Sequence, residues 1–180
     1  WVLTVGKKYK DKYTIEQLMF KDYPYLVWLA RDYLKQKEYL SIRKMIERLL
    51  ERGENRKVVL KCRAEECQAI AQYASVAGYE RFGYSISPAY IWCGKRECLS
   101  QIIPDSYLLL PLKFSSILNF RHKTDRRMFA NLLKTCFGFE GKLTRQKLYQ
   151  FFWQEEPEPP PPKEKLPQKE EQIPFTFKKG

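Results

Sequence analysis

Residues that most enzymes use for acid–base and metal-assisted chemistry are scarce in this sequence. The 180 residues include one histidine, His122, and five aspartates that lie far apart, with no Asp-x-Asp or Asp-x-Glu pair. Two-metal phosphoryl chemistry requires clustered carboxylates. His122 stands between Arg121 and Lys123, whose charges disfavour its protonation, and no Ser or Cys pattern marks it as a base. We therefore expect that the protein is not an enzyme.

Long apolar runs and phosphate-binding glycine loops are also missing. The most apolar stretch, residues 107–112, is interrupted by Pro111 and is far shorter than the roughly 18 apolar residues of a membrane-spanning helix. Gly78 and Gly83 have the spacing of a phosphate loop, but Tyr-Ser follows them where Lys-Ser/Thr is needed. The chain opens on Trp1 without a recognisable secretory segment, so we expect a processed or trimmed product.

Acidic residues are outnumbered, since 33 Lys and Arg face 21 Asp and Glu and the formal net charge is +12. Residues 1–153 hold 28 of these bases and 15 of the acids. A positive charge of this size attracts polyanions. Nucleic acid is the favoured polyanion, because binding along its phosphates releases many counterions. The alternatives are a soluble surface with surplus lysine and an anionic membrane. The candidate phosphate contacts are Lys8, Lys10, Lys12, Arg121, Lys123, Arg126, Arg127, Lys142, Arg145 and Lys147.

Cysteine is limited to five residues, and four of them form two pairs with the same spacing, in KCRAEEC and WCGKREC. Each pair has four intervening residues, and 25 residues separate the pairs. Four thiolates on two short loops are typical of a closed structural zinc site. We therefore expect one zinc ion held by Cys62, Cys67, Cys93 and Cys98. Two disulfides, or four buried thiols in a reducing compartment, are the alternatives.

Hydrophobic periodicity predicts helices at both ends of the body. Thr14 and Gln17 have the form of a capping box, which predicts the start of a helix. Pro24 suits the first turn of a helix. On the helix that follows, one face contains Tyr25, Trp28, Leu29 and Tyr33. Ile42, Met45, Ile46, Leu49 and Leu50 repeat at helical spacing, and Gly53 is the expected stop. A third stripe contains Met128, Phe129, Leu132, Leu133 and the fifth cysteine, Cys136, and ends at Gly138. Thr144 is the expected cap of a last helix that buries Leu148, Phe151 and Phe152.

The fold class that these patterns predict is α+β. Residues 57–99 are expected to form strands and loops whose aromatic rings pack around the metal, although they could stack on bases. The two last helices resemble a helix-turn-helix only loosely. The expected units are a helical N-terminal module with a basic turn (1–56), a four-cysteine zinc module (57–103), a helical C-terminal part (104–153) and an extended proline-rich tail (154–180).

The tail has almost no apolar residues until its last segment, Gln-Ile-Pro-Phe-Thr-Phe. A proline-rich chain of this composition is expected to be an extended or disordered tether. The apolar end is expected to be a docking peptide for a protein partner. Its candidate contacts are Ile173, Phe175 and Phe177.

Residues 8–34 combine a basic turn, an acidic helix and a Tyr-x-x-Trp-Leu segment. The residues of this pattern are Lys8, Tyr9, Lys10, Lys12, Thr14, Ile15, Glu16, Asp22, Tyr25, Trp28 and Leu29. The segment resembles the small domain found C-terminal to exodeoxyribonuclease X-type exonucleases and in related phage and viral proteins, although Asp11 stands where that domain usually has glycine. The resemblance implies a role in DNA or RNA transactions. It does not imply nuclease activity, which belongs to a separate acidic domain.

Together these observations predict a non-catalytic, zinc-stabilised nucleic-acid-binding accessory protein of replication, repair, transcription or a mobile element. The expected partners are DNA or RNA and a protein that binds the tail, with no membrane, and a reducing intracellular compartment is favoured. The alternative is a structural subunit of a large ribonucleoprotein or multisubunit polymerase-type assembly.

Overall fold

The structure is a computed structural model, which describes residues 1–79, 83–102 and 107–154. The predicted tail and its candidate contacts Ile173, Phe175 and Phe177 lie outside these residues. The described chain forms six α-helices: α1 (Ile15–Lys21), α2 (Tyr23–Trp28), α3 (Leu40–Glu54), α4 (Arg96–Ile102), α5 (Lys123–Cys136) and α6 (Arg145–Trp153). Its strands are β1 (Tyr73–Tyr79), β2 (Gly83–Ser85), β3 (Ile91–Trp92) and β4 (Tyr107–Pro111). A π turn (Leu29–Tyr33) follows α2, and a 3₁₀ turn (Phe114–Asn119) precedes α5. The prediction of a mixed fold is confirmed.

The predicted helix caps are present. The backbone N–H of Gln17 donates to Thr14 Oγ1 at 3.2 Å, and the Thr14 N–H donates to Gln17 Oε1 at 2.9 Å, so that both halves of the capping box form. Thr144 Oγ1 accepts from the N–H of Lys147 at 3.2 Å at the start of α6. Helix α5 is followed by Gly138 at φ +77°, a conformation that glycine adopts most readily. These ends follow from local sequence alone.

Gly53 does not stop α3, and that part of the prediction is wrong. The helix continues to Glu54 and is capped at Asn55, with Gly53 buried in its last turn. A Cβ at position 53 would collide with Met19 of α1 and lie 3.1 Å from the Phe114 ring. Glycine is therefore used here for close packing of α3 on its neighbours, although it costs about 1 kcal/mol of helix propensity.

The sheet is built around β1, which pairs antiparallel with the other three strands. Tyr73 lies opposite Pro111 of β4 and also opposite Trp92 of β3. Ala77, at the other end of the register, lies opposite residues of β4 and of β2. Because a strand has two edges, β4 occupies one edge of β1 and β2 and β3 share the other. Strand β4 lies beyond the expected boundary at residue 103.

Helix α1 lies at the centre of the helical part and packs against α2, α3, α5 and α6. The largest buried side chains are phenylalanines, namely Phe114, Phe120, Phe129 and Phe152. One continuous buried cluster joins the N-terminal helices, β1, β4, α5 and α6. Trp28 and Tyr33, expected on the same face as Leu29, are instead exposed, whereas Leu29 is buried. No helix in the described part of the chain is both long enough and apolar enough to cross a membrane.

The end of α6 is held by the end of α3. Arg52 Nη1 donates to the carbonyl oxygens of Phe152 and Trp153 at 3.0 and 3.2 Å, and its guanidinium lies 5.3 Å from the centre of the Trp153 ring. Trp153 Nε1 also donates to Glu16 Oε1 of α1 at 2.7 Å. A cation at a helix C-terminus satisfies carbonyls that have no partner within the helix and opposes the helix dipole.

Candidate metal centre and candidate nucleic-acid interface

The four paired cysteines come together although 25 residues separate the two pairs. The Sγ atoms of Cys62, Cys67, Cys93 and Cys98 all lie within 4.8 Å of one another. Cys93 Sγ lies 3.8 Å from Cys67 Sγ and 3.7 Å from Cys98 Sγ. For four sulfurs around one zinc ion at about 2.3 Å, tetrahedral geometry gives sulfur–sulfur distances of about 3.8 Å. The four cysteines can therefore hold one metal ion.

The disulfide alternative does not fit this geometry. Sulfur atoms in a disulfide lie about 2.05 Å apart, far closer than the distances here. All five cysteines are free thiols in the structure.

Backbone turns bring the first pair to the cluster. Lys61 and Ile70 form an isolated antiparallel bridge, and the N–H of Cys62 donates to the Ala69 carbonyl at 2.8 Å. This short hairpin carries both Cys62 and Cys67. Glu66, at its tip, has φ +59°, a left-handed conformation that closes the turn.

Strand β3 and helix α4 position the second pair. Cys93 follows β3 directly, and Gly94 has φ +99°, which turns the chain toward α4. Cys98 lies in the first turns of α4. The sequence-based expectation of only strands and loops in this region is therefore wrong at α4, because a seven-residue helix carries the fourth thiol.

The thiols differ in how their surroundings affect ionisation. Burial raises the pKa of Cys62, and burial together with the neighbouring thiols raises that of Cys98 to about 12. The backbone N–H of Ala69 lowers the pKa of Cys67 by hydrogen bonding to its sulfur. The N–H of Ala64 acts in the same direction on Cys62, so each cysteine of the first pair receives an N–H from the residue two positions later. Such donors stabilise thiolates, the form that binds metal.

A small apolar cluster surrounds the four thiols and is separate from the main core. It contains Ala64, Trp92 and Ile102, and the Trp92 ring lies 5.3 Å from that of Tyr73. We call residues 61–70 and 91–102, which carry the four thiols, the four-cysteine lobe. With so few apolar side chains, this lobe has little hydrophobic stabilisation of its own. A bound metal ion would supply the stabilisation that these apolar contacts cannot.

The fifth cysteine belongs to the main core. Cys136 is fully buried at the end of α5, and burial raises its pKa to about 12. The prediction that it is a core residue is confirmed.

The second candidate site is a cleft between the N-terminal helices and α5. Four of the predicted phosphate contacts line it together with Lys21, at the end of α1, and the acid Asp22. These four residues are Lys8, Lys123, Arg126 and Arg127. Segments more than 100 residues apart thus contribute five cations to one cleft. We name this set the cationic cleft.

Two of these cations are hydrogen-bonded within the protein, and Lys21 Nζ lies 4.4 Å from the centre of the Tyr13 ring. Lys8 Nζ lies 2.6 Å from Asp22 Oδ2, and this hydrogen bond raises the pKa of Lys8. Arg126 Nε donates to the Phe120 carbonyl at 2.7 Å, which fixes the guanidinium. Within the described residues, no carboxylate lies in salt-bridge range of Lys21, Lys123 or Arg127. These three charges face the cleft without an ion-pair partner.

The remaining predicted contacts do not line this cleft. Lys10, Lys12 and Arg121 are exposed, as are Lys142 and Lys147. Arg145 lines a different cleft, beside Tyr149 of α6 and Glu16 of α1. Sequence reasoning missed Lys21, which had one available signal, its position in the last turn of α1 just before Asp22 and Pro24.

Comparison with protein-family models, with curated proteins and with solved structures found no match to this chain. The resemblance of residues 8–34 to an exonuclease-associated domain therefore stays a prediction.

Proposed function

We propose that this protein is a non-catalytic, zinc-stabilised nucleic-acid-binding accessory protein that holds the phosphate backbone in its cationic cleft. The observation that carries the proposal is the convergence of Lys8, Lys21, Lys123, Arg126 and Arg127 on one cleft. A phosphate chain binds such a cleft by releasing condensed counterions. The expected contacts are to phosphate, which position nucleic acid without reading its sequence.

The metal in the four-cysteine centre is proposed to be zinc, in a structural role. Four thiolates suit zinc in a closed tetrahedral site, and sulfur–sulfur distances of 3.7 and 3.8 Å agree with its bond lengths. The site would stabilise the fold and carry no reaction. Protein purified without chelator should contain about one equivalent of zinc per chain.

The cleft is tested by neutralising two of its exposed cations. In single-stranded nucleic acid each phosphate contact contributes a salt slope of about 0.7, which corresponds to about 5-fold in affinity at 0.1 M salt. Replacing Lys123 and Arg127 by alanine should therefore weaken binding by roughly 25-fold and lower the slope by about 1.4. Fluorescence anisotropy with short labelled oligonucleotides of unrelated sequence measures both quantities.

The matched control removes the same charge outside the cleft, at Lys142 and Lys147, which are equally exposed. Its affinity should stay close to that of the wild type. Equal losses in the two double variants would show that the overall charge attracts nucleic acid and that the cleft has no special role. If the wild type binds neither DNA nor RNA at low salt, the proposal fails and the assembly-subunit alternative becomes the better account.

A further inference from the structure

Five aromatic rings form a continuous row that begins at the edge of the cationic cleft. Successive ring centres lie 5.6, 5.2, 5.6 and 5.0 Å apart. The members, in spatial order, are Tyr13, Tyr9, Tyr25, Trp28 and Tyr33. We call this set the aromatic row. Tyr9 is buried, Tyr13 and Tyr25 are half-buried, and the outer end of the row reaches solvent.

The outer two rings are paired by the π turn. In an α-helix, residues five apart lie about 140° apart around the axis, because each turn takes about 3.6 residues. In the π turn the N–H of Leu34 donates to the Leu29 carbonyl, five residues earlier, at 2.9 Å. This wider turn brings Tyr33 next to Trp28, with ring centres 5.0 Å apart. Single π turns inside helical segments are frequent at functional sites.

The exposure of this pair is not explained by the core. Leu29 and Leu34, on either side of the same turn, are fully buried, so the turn already has its apolar contacts. Trp28 and Tyr33 are 42% and 44% exposed. Single exposed apolar side chains are ordinary, but two adjacent exposed rings also offer flat faces on which another ring system can stack.

Several cations lie near the row, together with the carboxylates of Asp22 and Asp32. Lys8, which lines the cationic cleft, also lies over the row, with its Nζ 4.9 Å from the centre of the Tyr9 ring and 5.6 Å from that of Tyr25. Arg31 lies within the π turn and Lys35 just after it, and both are exposed, with Lys35 Nζ 3.9 Å from Asp32 Oδ1. Lys8 and Arg31 therefore stand beside rings that can stack on bases, the combination that single-strand-binding surfaces use.

On the basis of the proposed function, we propose that Trp28 and Tyr33 stack on unpaired bases of a single-stranded nucleic acid whose backbone lies in the cationic cleft. In a duplex the base faces are occupied by neighbouring bases and only the edges are presented, so an exposed ring has no face to stack on. In a single strand the faces are available, and every base has one. The ligand is thus single-stranded DNA or RNA, with little sequence preference.

The test replaces both Trp28 and Tyr33 by alanine and measures affinity for three probes of equal length: a single strand, the same backbone without bases, and a duplex. Stacking contributes about 5- to 150-fold in affinity per base. The double variant should lose at least this factor for the single strand and little for the other two probes. Its salt slope should stay unchanged, because the phosphate contacts remain.

Two controls separate stacking from a structural role. Tyr149→Ala removes an exposed ring, 53% accessible on α6, that does not belong to the aromatic row, and should leave all affinities unchanged. The double variant Trp28→Phe/Tyr33→Phe keeps both ring faces and should retain most single-strand binding. Circular dichroism melting of each variant checks that the fold is retained.

The outcomes also separate this inference from the proposed function. If the Lys123/Arg127 variant loses affinity while the Trp28/Tyr33 variant binds the single strand normally, the protein binds nucleic acid but the stacking inference is overturned. Equal losses for the single strand, the base-free backbone and the duplex would overturn it as well. If no probe binds the wild type, both proposals fail. A surface that instead captures a proline-rich peptide, as aromatic grooves do, would likewise count against stacking.

Discussion

Replacing Cys98 by alanine tests whether a metal ion holds the four-cysteine lobe together. The substitution removes one of four sulfurs that lie within 4.8 Å of one another. Its Cβ remains, so the packing of α4 against Trp92 of β3 is largely kept. Any large effect must therefore come from the loss of a ligand.

The size of the effect follows from the few apolar contacts of the lobe. Ordering the twelve residues of the two cysteine loops (62–67 and 93–98) costs roughly 12 to 24 kcal/mol in conformational entropy. Trp92 and Ile102 are the large buried apolar side chains there, with half-buried Tyr73, Tyr90 and Leu99 packed on them, and a fully buried side chain of this size contributes only about 1.5 to 3 kcal/mol. These contacts offset part of the ordering cost, and structural zinc stabilises small metal-held folds by roughly 10 to 16 kcal/mol. Without the ion the lobe should unfold locally.

Two measurements check this prediction. Atomic emission after dialysis against a weak chelator should find about one zinc per wild-type chain and well below that in Cys98→Ala. Amide hydrogen exchange should show lost protection in residues 61–70 and 91–102, with protection retained in α1 and α5, which belong to the separate main core.

The matched control is Cys136→Ala, which removes a fully buried thiol from the main core. It should cost about 1 to 2 kcal/mol of global stability by the loss of buried volume, and it should keep its zinc. The reasoning would be refuted if Cys98→Ala retained a full equivalent of metal, if both variants lost metal alike, or if the lobe stayed protected from exchange after the metal had been removed.

Three further predictions concern the core and the tail. Burial raises the pKa of Cys136 from about 9 to about 12. Its neutral thiol therefore stabilises the fold fully below about pH 9, and above that pH its contribution to the free energy of unfolding falls by about 1.4 kcal/mol per pH unit. The stability advantage of wild type over Cys136→Ala in urea unfolding should shrink from about pH 9 to pH 10.5. Arg52→Ala should lower the free energy of unfolding by about 1.5 to 3 kcal/mol, because two carbonyls at the end of α6 lose a charged donor, whereas Arg43→Ala, which breaks only an exposed pair with Glu47, should cost about 0.5 kcal/mol or less. Deleting residues 155–180 should leave the melting temperature unchanged and abolish co-purification of a protein partner. A collapse of stability with partners retained would contradict the prediction that the tail is a docking segment.

Features set by short-range chemistry could be predicted from the sequence. The capping box at Thr14, the cap at Thr144 and the end of α5 before Gly138 each depend on residues within one or two helical turns. The cysteine cluster was also predictable, because two loops with the same ligand spacing indicate one shared centre. What the spacing could not show is that one ligand, Cys98, lies on a short helix.

Features set by tertiary contacts could not be predicted. Gly53 has the form of a helix stop, yet it is buried because Met19 and Phe114 approach it from elsewhere in the chain. The pairing of Trp28 with Tyr33 depends on a π turn, and ordinary helical periodicity assigns these rings to the same face as Leu29. The convergence of Lys8 with Arg127 requires the packing of the N-terminal helices on α5, which no local pattern encodes.

The metal centre and the cationic cleft occupy different parts of the molecule, which allows their roles to be separated. None of the residues that the structure describes between 57 and 102 lines the cleft. The sheet links the two sites, since β3 pairs with β1, β1 with β4, and the chain after β4 enters the 3₁₀ turn that contributes Ile117 to the cleft. The short turn before β3 (Pro88–Tyr90) also contacts α5 directly. If the metal only stabilises the fold, Cys98→Ala should bind single strands within a few-fold of wild type at temperatures where α1 and α5 stay protected. If instead the lobe itself contacts nucleic acid, as in zinc fingers, affinity should fall together with the zinc content, and the cleft would not be the binding surface.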